Sequence, residues 1–175
     1  YNIFNNNKEL ECMFIALLSL IIIMILVGMS IGIYLLNGFG LMEMAQRKGE
    51  KYPFLGFIPY ASSYLQGNIA YNNKNGGLFF LISQIVYLFL VNIASFLLRL
   101  FRNTFEDPNI IFIILVLIIG LVSLAEIIIV YVTYFRIFRK YSDHYVLMLI
   151  VTILTFGLTA PIFIFAIRKN KILRD

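Results

Sequence analysis

The side chains best able to do chemistry in this chain are a carboxyl at Glu126, an amide at Gln84 and hydroxyls at Ser30, Ser123 and Thr152. Each stands within a run of apolar residues, where a polar group has little water to solvate it. Glu126 is the only charge in the run 110–135. A carboxyl at that depth costs roughly 2.5–3.5 kcal/mol on insertion scales, so it needs a partner or a purpose. Gly120, Ser123 and Glu126 recur every three residues and share one helical face, which Val130 and Thr133 continue. Counted from Arg136, Glu126 lies about 15 Å deep at 1.5 Å per residue. Gln84 lies about seven residues into its own run, roughly 10 Å, with Ser30 a similar distance into the first and Thr152 into the last. Ser30, Gln84, Glu126 and Thr152 are therefore predicted to meet in one polar layer near mid-membrane. Such a layer suits an ion, a proton or a small ligand. It equally suits a packing hydrogen bond from Gln84 to Glu126.

No catalytic constellation accompanies this layer. Cys12 and His144 are single residues of their kinds and fall on opposite faces of the predicted topology, so they form no nucleophile–base pair. There is no histidine cluster with metal-ligand spacing, no paired intramembrane Asp and no glycine-rich phosphate loop. Asp143-His144 reads as a solvated loop pair. The expectation is a protein without catalytic residues, metal or cofactor.

The elements that must position these groups are set by composition. Of 175 residues, 61% are hydrophobic and 13% charged, and the mean hydropathy is +0.91. Soluble domains carry about 25% charged residues, so this chain lacks the side chains to cover a soluble surface. Four runs, 13–36, 77–98, 110–135 and 145–167, reach the roughly 20 residues of a spanning helix. They lack period-two alternation, which selects helices over a barrel. The first run exceeds a signal-peptide core and has no basic segment before it, so it reads as a retained span. The predicted fold is an all-α integral membrane protein, a single domain over 1–175 with four transmembrane helices. Between the first two lies an amphipathic segment, 53–71, interrupted by Pro53, Gly56, Pro59 and Gly67 and read as interfacial or re-entrant. A fifth span there is the rival reading. The stretch Tyr71-Asn-Asn-Lys-Asn-Gly-Gly77 reads as a loop by its turn chemistry, Asp107-Pro108 signals a helix start, and Pro161 predicts a bend in the last span.

The net charge is +5, with Lys and Arg beside the apolar runs. That placement fits anionic headgroups rather than nucleic acid. Arg47, Lys48 and Lys51, with Arg136, Arg139 and Lys140, form two basic clusters assigned to lipid headgroups. With four spans, seven basic residues fall on each face, so the charge rule for orientation says nothing. Tyr34, Tyr52, Tyr60, Tyr64, Tyr71, Tyr131, Tyr134, Tyr141 and Tyr145 all fall toward one face, as an interfacial aromatic belt would. Gly28 and Gly32 form a small-x-x-x-small pair for close helix packing, within the bundle or between copies. Asn92 and Ser95 extend a stripe from Gln84 that is expected to face the bundle interior. The single cysteine, Cys12, excludes an internal disulfide.

Met44-Ala-Gln-Arg-Lys-Gly49, Phe57-Ile-Pro-Tyr60 and Tyr64-Leu-Gln-Gly67, with Phe135-Arg-Ile-Phe-Arg-Lys-Tyr141 and the ending Pro161-Ile-Phe-Ile-Phe-Ala-Ile-Arg-Lys-Asn170, resemble a pattern in small bacterial polytopic membrane proteins. The resemblance covers the first connection and the C-terminal third. Where that pattern places a tryptophan-like aromatic before Leu-x-Phe-Ile-Pro, this chain has Pro53-Phe54. The resemblance implies a bacterial cytoplasmic membrane; it brings no assigned activity, so no site residue carries over. The leading functional expectation is a non-catalytic membrane component, oligomeric or part of a larger assembly with other membrane subunits. The alternatives are a small channel or ion-coupled carrier using Glu126, and an intramembrane enzyme or membrane-active toxin or immunity protein.

Overall fold

The computed structural model describes residues 2–71, 74–104 and 110–173. Among these, every regular element is a helix: α1 (Asn2–Arg47), a short 3-10 helix (Pro53–Phe57), α2 (Ala61–Tyr71), α3 (Lys74–Thr104), α4 (Ile110–Tyr141), α5 (Tyr145–Leu154) and α6 (Ala160–Ile167). The predicted loop 71–77 is largely helical, since Tyr71 ends α2 and residues 74–77 open α3, while Asn72-Asn73 and Asp107-Pro108 lie outside the described residues. Three helical stretches are long and apolar enough to cross a membrane: Cys12–Arg47, Asn75–Leu100 and Ile113–Tyr141. They contain the first two predicted runs whole and the third from Ile113 onward. The all-helical membrane architecture follows from the sequence because a helix satisfies its own backbone without water.

A continuous fourth span is not found. The run 145–167 is divided at Thr155–Thr159 into α5 and α6, of ten and eight residues. Phe156 (φ 52°) and Gly157 (φ 86°) both adopt left-handed backbone, which ends α5 and reverses the chain. Gly157 N–H donates to the Thr152 carbonyl at 2.7 Å, closing the last turn of α5. The Thr155 and Thr159 hydroxyls bond each other across the break at 2.8 Å. Pro161 does not bend a span. It stands in the first turn of α6, where its missing N–H costs nothing.

After the turn the chain returns to where it entered. The Phe163 ring meets Phe138 edge-on at 6.0 Å. Arg168 Nε reaches Glu43 Oε2 at 2.8 Å, and Arg47 Nη1 donates to the Lys169 carbonyl at 2.7 Å. Asn170 Nδ2 donates to the Tyr141 carbonyl, and Leu173 N–H to the Lys140 carbonyl, each at 2.8 Å. Thus α5 and α6 form a helical hairpin that leaves and rejoins the same end of the bundle.

The segment 53–71 makes a second excursion. Phe57 lies back along α1, where its carbonyl accepts from the Tyr34 hydroxyl and its ring packs edge-on against Phe39 at 4.8 Å. The chain turns at Tyr60 (φ 64°), and α2 buries Leu65 to Ala70. The α2 half of this segment is folded into the bundle, while Phe54, Ile58 and Tyr60 of its first half stay exposed. Two lysines cap α2. Lys48 Nζ donates to the Asn68 carbonyl, and Lys140 Nζ to the Ile69 carbonyl at 3.1 Å. Carbonyls in the last helical turn have no intrahelical donor, and the negative end of the helix dipole favours cations there.

The core sits at this end, where Leu41, Met44, Ile69, Ile137, Phe138, Ala160 and Ile164 are almost fully enclosed. The stretches quoted for the bacterial resemblance converge here. By contrast, 12–31 of α1 is exposed throughout. The hairpin also redistributes charge. Arg47, Lys48, Lys51, Lys74, Arg136, Arg139, Lys140, Arg168, Lys169 and Lys171 now belong to the core end, whereas Lys8, Arg99 and Arg102 lie toward the opposite helix ends.

Candidate functional site

Glu126 and Gln84 meet as the sequence predicts. Gln84 Nε2 donates to Glu126 Oε1, joining α3 to α4. Glu126 is only 9% exposed. The helical period explains the encounter, since both residues lie on the facing sides of two antiparallel helices at similar depth. Ser123, one turn before Glu126, lies 3.5 Å from the Tyr87 hydroxyl, one turn after Gln84.

These groups are not packed shut. They border a cavity of about 440 Å³ whose walls come from four elements. From α3 come Gln84 and Tyr87, and from α4 Ser123, Glu126, Ile127, Val130, Tyr131 and Tyr134. α1 contributes Ile33, and the hairpin closes one side with Phe156, Gly157, Leu158 and Pro161. Phe156 is 91% exposed, and Leu158 and Ile127 are exposed as well. The mouth is therefore flanked by apolar side chains that contact the medium around the bundle. An acid, an amide and hydroxyls thus stand at the back of a space with an oily entrance.

The other predicted members of the polar layer do not reach it. Ser30 is exposed and bonds the Leu26 carbonyl of its own helix at 2.8 Å. Thr152 is fully buried but bonds the Met148 carbonyl at 2.7 Å and does not line the cavity. Shared depth fixes height along a helix axis, not the direction of the side chain about it. A serine or threonine facing away from any partner satisfies itself on the carbonyl one turn earlier. Asn92 and Ser95 correct the stripe expected to face the interior. Both are exposed, and Asn92 Nδ2 bonds the Leu88 carbonyl at 2.7 Å. The face of α3 turned toward α4 carries Val91, Ala94 and Leu97, one step around the wheel.

Among the described residues, none outside α1 comes within 4 Å of a Cβ built at Gly28 or Gly32, so none of them packs on this pair. The basic clusters divide. Lys48 and Lys140 are occupied on α2, Arg47 on the Lys169 carbonyl and Glu43, and the Arg136 guanidinium on the Tyr71 ring at 4.3 Å. Lys140 is only 7% exposed, so it does not face headgroups. Lys51 and Arg139 remain exposed.

Sequence reasoning missed Tyr87, Tyr131, Tyr134 and the hairpin tip. The tyrosines were legible: 123, 126/127, 130/131 and 134 trace one face of α4, and Tyr87 follows Gln84 by three. The tip was not, because no periodicity within an apolar run announces a reversal. Among the described residues, no group of three or more His, Cys, Asp or Glu side chains could hold a metal ion. Comparison of the chain with protein-family models, curated proteins and solved structures finds no match.

Proposed function

We propose that this chain is a non-catalytic multi-pass component of a bacterial cytoplasmic membrane that holds a small ligand at Glu126 and works within a larger assembly. The carrying observation is that the Glu126–Gln84 pair opens onto a cavity of about 440 Å³ instead of being filled by apolar side chains. A hydrogen bond serving packing alone does not require an open recess at its side, whereas a ligand site does. The non-catalytic reading draws on the partner: an amide neither gives nor takes a proton near neutrality, so Glu126 has no acid–base mate. The assembly reading draws on α1, whose exposed residues 12–31 and open Gly28/Gly32 face suit a neighbouring helix.

Native mass measurement from lipid nanodiscs tests both parts. Expected are species heavier than the 20.2 kDa chain, carrying a non-protein adduct that Glu126→Gln loses while assembly persists. A bare monomer in both proteins overturns the reading.

A second reading, an ion-coupled carrier, is favoured by one observation. The break between α5 and α6 lies at the depth of Glu126, and interrupted helices at such depth line ion paths in carriers. It predicts pH-dependent ion flux in liposomes that Glu126→Gln abolishes. Absence of flux for H⁺, Na⁺ and K⁺ under every gradient removes it.

A further inference from the structure

We infer that the Glu126 cavity takes a lipophilic organic cation, an ammonium or phosphonium centre carrying apolar substituents, which enters from the apolar flank of the bundle. This rests on the reading of the cavity as a ligand site and specifies its ligand class.

Three features of the walls carry the inference. First, Glu126 is the only acid among the lining residues and no basic residue accompanies it. A carboxyl in an apolar span ionises at little cost only beside a positive charge, and since no wall residue supplies one, a cationic ligand is the species that an ionised Glu126 would pair with. Second, three phenol rings, Tyr87, Tyr131 and Tyr134, line the same space together with Phe156. Aromatic faces attract cations, most strongly when water is excluded, and they need no hydrogen-bond donor on the ligand. A carboxylate with a set of aromatic rings suits a diffuse organic cation. It does not suit a bare metal ion, which needs more oxygen ligands than one carboxylate supplies.

Third, the remaining walls are aliphatic: Ile33, Ile127, Val130, Leu158 and Pro161. They match apolar substituents on the cation, and the exposed Phe156, Leu158 and Ile127 at the mouth place the entrance where such a molecule partitions. An anion is disfavoured by Glu126. A strongly hydrated small cation is disfavoured by the oily entrance.

The test uses two ions of nearly the same shape and opposite charge, tetraphenylphosphonium and tetraphenylborate. Each is titrated into the full chain in phosphatidylcholine nanodiscs, with protein-free discs as background. Saturable uptake of the phosphonium without saturable uptake of the borate is expected, with at least tenfold weaker phosphonium binding in Glu126→Gln. Equal uptake of the two ions, no saturable phosphonium uptake, or phosphonium binding unchanged by Glu126→Gln overturns the proposal. The charge comparison is made on the wild-type chain and stands even if the variant folds poorly. Failure here stays distinct from failure of the underlying reading. A neutral adduct retained in native mass spectra, with no phosphonium binding, sinks the cation while leaving a ligand site. Bare protein in both measurements sinks both.

Discussion

Glu126, Gln84 and Ser123 meet the cavity because they lie on facing sides of α3 and α4. Ser30, Thr152 and Asn92 instead turn to carbonyls of their own helices, at no cost visible in composition. The Glu126–Gln84 pair makes a directional prediction. Gln84→Leu removes the amide donor from the carboxyl, leaving Ser83 beside it, and should lower stability by about 1–3 kcal/mol, whereas Glu126→Gln keeps a hydrogen-bonding partner for Gln84 and should cost less. Thermal unfolding in detergent of the two variants checks the order. Lys48 offers a pH prediction. Burial, and then the charge of Lys140, holds its amine below the ordinary lysine value of 10.5, against the opposing pull of Glu50. A lowered folded value means that the protonated amine is penalised in the fold, fully so below that value. The penalty fades as pH rises toward 10.5, while the neutral amine still donates to Asn68. Lys48→Met should therefore be less stable than wild type, and the gap should widen from pH 7 to pH 10.

At the level of elements, three membrane-length helices were legible and the hairpin was not. Hydropathy reports how apolar 145–167 is and says nothing of whether the chain reverses within it. The local signals were present, with Thr155, Gly157, Thr159 and Pro161 clustered in the run, but they equally describe a kinked span. What decides is tertiary: α6 docks on α1 at Gly40, where an added Cβ would lie 2.9 Å from Ile164 Cγ2 and 3.0 Å from the Phe165 backbone nitrogen. Two glycine substitutions separate turn from docking. At Gly157 nothing lies within 4 Å, so Gly157→Ala acts only through its left-handed φ of 86° and should cost about 1–2 kcal/mol. At Gly40 the obstruction includes the Phe165 backbone beside the Ile164 side chain, and backbone cannot rotate aside, so Gly40→Ala should part α6 from α1. Protease cleavage in the tail after Ile167 should rise sharply for Gly40→Ala and little for Gly157→Ala. Equal cleavage in both would mean that the turn, not the α1 contact, holds the hairpin.

For the whole molecule, returning the C-terminal segment to the core end changes which face is basic. With a continuous fourth span the Lys and Arg residues divide evenly and orientation is undetermined. With the hairpin, the core end gathers the first connection, the end of α4 and the tail, against Lys8, Arg99 and Arg102 opposite. Cytoplasmic loops of membrane proteins carry the excess of Lys and Arg, so the core end should face the cytoplasm and the start of α1 the outside. The two topologies then differ in one observable. Four complete spans put Cys12 and the tail on the same face; three spans and a hairpin put them on opposite faces. In intact cells a membrane-impermeant maleimide should label Cys12, the single native cysteine and an exposed one. In a Cys12→Ser background, Lys171→Cys should label only after the membrane is opened. Labelling of both from outside would restore a continuous fourth span, and with it a cavity whose fourth wall is a through-going helix rather than the tip of a loop. Labelling of the tail alone would keep the hairpin and reverse the orientation.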